Sequence, residues 1–264
     1  MKKYLVIGNP IEHSLSPKLH NYWIKQNNLD AVYDKKRLNE SDVEEIIMEV
    51  KNGKIDGINV TVPFKKSVIP FLNQLTPLAD ETQSVNTIFK KDNKVIGDNT
   101  DISGFEHGLK HISYDVKNKK VFILGAGGVV SSIILALKRL GASKIYLSNR
   151  TKEKAEDLKK IYAYLEIVDW GQSTDFNMII NATSLGLKNN DQIKLNYNKL
   201  GSNKLFYDVI YNPSKTSFLV KGKELGNQIE NGKMMFIYQA QLAFKTWHNI
   251  LPKIDNETIK LLNI

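Results

Sequence analysis

The stretch Val121-Phe-Ile-Leu-Gly-Ala-Gly-Gly128 constrains this chain most, because it is a short apolar strand running into a glycine-rich turn nearly halfway along 264 residues. Followed by an amphipathic helix, such a strand opens a dinucleotide-binding unit. About a domain's length of chain then lies upstream, and it is expected to hold something other than the cofactor. A substrate domain is the economical expectation.

The turn itself can be argued residue by residue. Gly125 permits a tight exit from the strand, and Gly127 lets the backbone approach a pyrophosphate. The helix expected from Val129 to Leu140 offers backbone N–H groups and the positive end of its dipole to anionic oxygens, and Gly141 closes it at the C′ position. Ala126, Gly128 and Val129 complete the phosphate-facing turn. Val130 stands where the usual pattern has a third glycine or alanine, so a β-branched side chain has to fit between helix and strand.

The next strand, Lys144–Ser148, runs into Asn149, Arg150 and Thr151. A carboxylate at this point would hold the 2′-hydroxyl of NAD, and none is present. Arg150, with Lys154 one helical turn later, supplies cationic donors suited to a 2′-phosphate, which predicts NADP as cofactor. Later strands are expected at Tyr164–Ile167, Met178–Asn181 and Leu205–Val209. Thr183 in the polar loop after Asn181, Val209 at a strand end and Gly232 at the head of a final apolar helix through Trp247 are counted with the cofactor set.

Upstream, strands at Lys3–Gly8, Ala31–Lys36 and Gly57–Val62 alternate with helices at about 16–27 and 41–51, which predicts an α/β fold with a parallel or mixed sheet. Ser16 is expected to cap the first helix with Pro17 at N1, and a further helix is expected to run from beyond Lys65 to about Leu75. Asn59 and Thr61 alternate on one face of an otherwise apolar strand, and Lys65 follows at its carboxyl end, where open α/β sheets bind ligands. Ser84-Val-Asn86-Thr87 and Gly97-Asp-Asn-Thr-Asp101 add hydroxyls, amides and a carboxylate, a set suited to a small polyhydroxylated acid.

Several functional classes are set aside by composition. There is no cysteine, hence no disulfide, thiolate metal site or cysteine nucleophile, and no apolar run approaches membrane-spanning length. The net charge of +9 comes from scattered lysines with only Arg37, Arg139 and Arg150 beside them, so it reads as compositional bias rather than a nucleic-acid surface. His13 beside Ser14 lacks a nucleophile elbow, and His107 with His111 lacks further ligands, so neither hydrolase nor metal chemistry is expected. A cytoplasmic enzyme, monomer or homodimer, is the expectation.

Together, Ser14-Leu-Ser16, Asn59-Val-Thr-Val-Pro-Phe-Lys65, Val85-Asn86-Thr87, Gly97-Asp-Asn-Thr-Asp101, Gly125-Ala-Gly-Gly128, Asn149-Arg-Thr151 and Asn181-Ala-Thr-Ser-Leu-Gly186 resemble the motifs of shikimate dehydrogenases, in the family's order. The resemblance implies reversible reduction of 3-dehydroshikimate to shikimate with NADPH, a step toward aromatic amino acids. It implies Lys65 and Asp101 as the catalytic pair, with Ser14, Ser16, Asn59, Thr61, Asn86, Tyr211 and Gln239 holding ring hydroxyls and carboxylate. It also implies two domains, 1–101 with 239–264 for substrate and 102–238 of Rossmann type for NADP, the C-terminal helices returning to the first. Gln83-Ser84 and Val129-Val130 replace smaller residues of the family pattern, departures that bear on substrate fit and on the depth of the pyrophosphate. Two other readings stay open: a quinate- or shikimate-type dehydrogenase of altered ring specificity, and a non-catalytic nucleotide-sensing module.

Overall fold

A computed structural model describes residues 1–188 and 191–262. The described chain divides into two compact units, Met1–Gly104 together with 237–262, and Phe105–Phe236. Positions 263 and 264, included in the expected first domain, lie outside the described residues.

The first unit runs β1 (Lys2–Gly8), α1 (Ser16–Gln26), β2 (Ala31–Arg37), α2 (Val43–Lys51), β3 (Gly57–Val60), β4 (Gln74–Leu75), α3 (Pro77–Thr82), β5 (Thr87–Lys91) and β6 (Lys94–Asp98), and enters α4 (Asp101–His111). Its sheet has the order β2-β1-β3-β5-β6-β4. β1 pairs in parallel with β2 and β3, whereas β5 is antiparallel to β3 and β6, so the sheet is mixed. Val43, Ile46, Ile47 and Val50 recur at helical spacing on α2 and pack with Ile7, Ile58 and Val60 of the sheet. Burying each such side chain stabilises the unit by about 1.5–3 kcal/mol before chain entropy is counted.

Three local expectations fail here, each for a visible reason. Ser16 is the first residue of α1 rather than its cap, so Pro17 sits one place further in, and Leu15 holds the N-cap position without a side-chain bond. The Ser14 hydroxyl takes over part of that work by accepting the Ser16 backbone N–H at 3.3 Å. Gly57–Val62 is shorter than expected, because β3 ends at Val60. The segment after Lys65 is not a helix to Leu75 but turns with one 3₁₀ segment, Ile69–Phe71, followed by β4. Pro70 cannot continue an α-helix, and Asn73 exchanges hydrogen bonds with Val95 through backbone N–H and side-chain Oδ1, which ties the segment to β6.

In the second unit β7 (Lys120–Leu124), α5 (Val130–Arg139), β8 (Lys144–Ser148), α6 (Lys152–Ile161), β9 (Leu165–Ile167), β10 (Met178–Asn181), β11 (Leu205–Asp208), α7 (Ser217–Glu224) and β12 (Gln228–Glu230) form an open parallel sheet. The strand order β12-β11-β10-β7-β8-β9 is that of a doubly wound dinucleotide fold, with the change of direction between β7 and β10. The helix α8 (Lys233–His248) follows, then α9 (Asn256–Leu261). From Ile237 on, α8 belongs to the first unit, where Trp247 donates its indole N–H to the Ile88 carbonyl at 3.1 Å.

Candidate active site and cofactor cradle

In the first unit Lys65, Asp101, Asn86, Asn59 and Gln239, of the polar residues singled out above, meet beyond the carboxyl ends of β3 and β6. Lys65 Nζ lies 2.5 Å from Asp101 Oδ2, and the two side chains retain only 10% and 8% of their exposure. Two unlike charges withdrawn from water persist only when their remaining donors and acceptors are met. Asn86 does this for Asp101, donating from Nδ2 to Oδ1 at 2.9 Å. Asp101 is further set by its own backbone N–H, which donates to Asn99 Oδ1 at 3.1 Å. Lys65 is set by its carbonyl, which accepts from Val85 N–H at 2.8 Å and so lashes it to the Val85-Asn86-Thr87 segment.

Asn86 is the centre of this network. Its Oδ1 accepts from Thr100 N–H at 2.8 Å and from the Thr87 hydroxyl at 3.0 Å. Its Nδ2 also reaches Thr100 Oγ1 at 3.0 Å and Gln239 Oε1 at 3.4 Å, which brings the α8 glutamine to the same place. Asn59 is buried, accepts the Tyr33 hydroxyl at 2.6 Å and donates to Asn86 O and Thr87 Oγ1 at 3.1 and 3.2 Å. Thr61 is half-buried just past β3, its N–H bonded to Ile7 O. Ser14 is half-buried and Ser16 buried at the head of α1. Tyr211 belongs to the second unit, where its ring stacks on Phe236 with centroids 4.6 Å apart.

Thr87, Asn99, Thr100 and Tyr33 were not singled out as site residues, although they hold those that were. The Asp98-Asn-Thr-Asp101 string carried the signal for two of them. Tyr33 had none, being the one buried residue of a strand that is otherwise half-buried or exposed and ends in four charged residues.

In the second unit, Gly125 has φ +110°, and a Cβ there would come within 2.7 Å of the Ala182 carbonyl oxygen. A side chain is therefore excluded twice, by backbone conformation and by space. At Gly127 a Cβ would meet nothing nearer than that same oxygen at 4.0 Å, so the surface over the turn is open to a ligand. Val130 is fully buried, so the β-branched residue in place of the third glycine is packed inside. No side chain caps α5 at Val129. Arg150, Thr151 and Lys154 are exposed at the end of β8 and the start of α6, and Asn149 uses its amide to donate to Thr151 O at 2.7 Å, shaping that corner. These residues fit a dinucleotide with a 2′-phosphate.

The far wall of this cradle is built on a buried acid, Asp208. It accepts from Asn181 Nδ2 at 3.1 Å on both oxygens, from Ile210 N–H at 3.0 Å and from the Thr216 hydroxyl at 2.6 Å. Burial outweighs these donors and pushes its carboxyl up to about 6. Asn181 Oδ1 in turn accepts the Thr183 N–H and hydroxyl, which orders the Asn181–Gly186 loop. Val209 approaches Gly232 so closely that a Cβ on the glycine would lie 2.1 Å from the Val209 carbonyl oxygen. Among the described residues no cluster of histidines and acids could hold a metal ion, and no helix is long and apolar enough to cross a membrane.

Comparison with known proteins agrees with this construction. The shikimate dehydrogenase substrate-binding domain model matches residues 6–88, and the shikimate/quinate 5-dehydrogenase model matches residues 108–187. The chain is 59% identical to the NADP(+) shikimate dehydrogenase of Pelagibacter ubique, covering 100% of this chain and 99% of that one. It is 35% identical to that of Caldicellulosiruptor bescii, over 100% and 95%. Among solved structures, the shikimate dehydrogenase of Aquifex aeolicus superposes with a TM-score of 0.90 at 36% identity, covering 98% and 96% of the two chains. That of Thermus thermophilus, in complex with NADP(H) and shikimate, gives 0.89 at 28% identity over 98% and 97%. Order of motifs, strand order and relatives agree, and the chain belongs to the NADP-dependent shikimate dehydrogenases.

Proposed function

We propose that Lys65 and Asp101 carry the proton transfer as this dehydrogenase interconverts 3-dehydroshikimate and shikimate with NADP(H). The observation that supports it is the buried ion pair at 2.5 Å, placed at strand ends and held by the Asn86 amide. NADPH supplies a hydride, and addition of hydride to a ketone carbon builds negative charge on its oxygen. The Lys65 ammonium stabilises that oxygen and donates the proton, and in the reverse direction the pair takes the proton back from the alcohol. Asp101 orients Lys65 and accepts from a neighbouring substrate hydroxyl, while Asn86 keeps the second carboxylate oxygen facing inward.

Ser14, Ser16, Asn59, Thr61, Asn86 and Gln239 hold the ring hydroxyls and the carboxylate in this reading. Gly125, Gly127 and the head of α5 take the pyrophosphate, and Arg150 with Lys154 takes the 2′-phosphate. We place the enzyme in the cytoplasm, as a monomer or homodimer. Purified protein mixed with NADP and shikimate, then quinate, should reduce the cofactor with shikimate, read from nicotinamide absorbance. Faster turnover of quinate would favour the altered ring specificity, and no turnover of either would leave a nucleotide-sensing module.

A further inference from the structure

The Asn59 side chain on β3 is held by a buried phenol that belongs to another strand. Tyr33 on β2 is 2% exposed and donates its hydroxyl to Asn59 Oδ1 at 2.6 Å. A phenol has one proton to give. Since Asn59 Oδ1 can only accept, that proton is committed to Asn59.

The phenol is itself fixed from three sides. Its backbone N–H donates to Asn21 Oδ1 at 3.0 Å and its carbonyl accepts from Asn21 Nδ2 at 2.7 Å, which locks β2 to α1. Its ring lies flat on His20, with centroids 4.2 Å apart and planes 4° from parallel. Asn59 has spent its two amide hydrogens on Asn86 O and Thr87 Oγ1. What it can offer a ligand is therefore the remaining lone pair of Oδ1, and the Tyr33 bond sets the direction of that lone pair.

We propose that Tyr33 is a positioning residue for substrate: it holds the Asn59 side chain in the one placement that receives the polyhydroxylated ring. This rests on the assignment of Asn59 to substrate. Tyr33 touches no reacting atom, so its removal affects ring binding more than turnover and leaves the cofactor alone.

Tyr33→Phe keeps the ring against His20 and removes only the hydroxyl. The expected result is a KM for shikimate raised about tenfold, the size of one lost hydrogen bond to a buried acceptor, with kcat changed less and the KM for NADP unchanged. In an Asn59→Ala background the same substitution should have a smaller effect on that KM, because one partner of the phenol is already gone. An unaltered KM for shikimate, a parallel rise in both KM values, or an undiminished effect in the Asn59→Ala background would overturn the proposal. Absence of shikimate turnover in the unsubstituted enzyme would overturn the underlying assignment instead.

Discussion

Lowering the pH from about 7 to about 5 should remove about 2 kcal/mol of folding stability through His20 alone. His20 is 1% exposed and stacked among Tyr33, Trp23, Phe244 and Trp247, and neither ring nitrogen has a hydrogen-bond partner among the described residues. Burial first, and the neighbouring His248 second, hold its pKa down to about 3 in the fold, against 6.5 for a free imidazole. The folded-state value is depressed, so the unfolded chain binds this proton first. Stability from the neutral ring is full above the unfolded value and is lost as pH falls toward the folded one. At pH about 5 the unfolded imidazole is ~1.5 units below its pKa, which at 1.36 kcal/mol per unit gives about 2 kcal/mol.

Asp208 works in the opposite direction. Its carboxyl is raised to about 6 by burial, so the folded state binds the proton first, and over the same interval it returns about 1 kcal/mol. His248 adds a loss of the same sign as that of His20, since burial and the Lys2 charge hold its imidazole down to about 4. The wild-type curve is therefore a sum over several groups, and the test has to be differential. Urea unfolding of wild type and His20→Phe at both pH values isolates the His20 part, because both proteins carry the contributions of Asp208 and His248. The substitution keeps an aromatic ring in the stack, and relative to wild type it should gain about 2 kcal/mol on going to the lower pH. Stability differences that are equal at the two pH values would refute the reasoning, since they would mean that the buried imidazole does not resist protonation.

Three further outcomes follow from the geometry. Lys65→Ala should lower kcat by about 10²–10⁴-fold while the dissociation constant of NADP, read by fluorescence titration, stays the same; an unaltered kcat removes the residue from the mechanism. Arg150→Ala should raise the KM for NADPH by about 10–100-fold and leave the use of NADH nearly unchanged, which paired initial-rate measurements decide. Gly232→Ala puts a Cβ 2.1 Å from the Val209 carbonyl oxygen, so the head of α8 must move; melting curves should show a Tm lower by several degrees, with weaker NADP binding.

Much of this was written in the residue pattern, and the failures have a common physical character. The second unit was legible because apolar strands that end in glycine or polar turns report their boundaries locally: β7 and β8 lie where Lys120–Leu124 and Lys144–Ser148 placed them. The short edge strand Gln228–Glu230 was missed, since three residues with one apolar side chain carry no period. The β5–β6 hairpin was also missed, although Asp92 and Asn93, with φ +49° and +59°, are the residues a tight turn between strands uses. The segment after Lys65 failed because Pro70 within it breaks a helix and because its end, β4, pairs with β6, a distant partner that no window along the chain contains. In the site, Lys65 and Asp101 were legible as motif residues. The support given by Thr87, Thr100 and Tyr33 was not, because a hydrogen-bond network belongs to three dimensions.

The Lys65–Asp101 pair shows why that supporting network is needed. Withdrawing an ammonium and a carboxylate from water costs several kcal/mol for each ion, and their attraction offsets this only when the geometry is held and the spare lone pairs are filled. An apolar pair of the same size would stabilise the fold at least as well. Core packing therefore does not account for an ion pair in this position. Asn86 donates to the carboxylate, Asn99 fixes the Asp101 backbone by accepting its N–H, and Thr87 and Thr100 fix the Asn86 amide in turn. Because these donors and acceptors are in place before any ligand arrives, little reorganisation is left for the proton transfer proposed for this pair, in which charge develops on oxygen. The first unit thus holds a charged, hydrogen-bonded pocket where an apolar one would serve the fold equally, and the proposed proton transfer is a role that such a pocket suits and an apolar one does not.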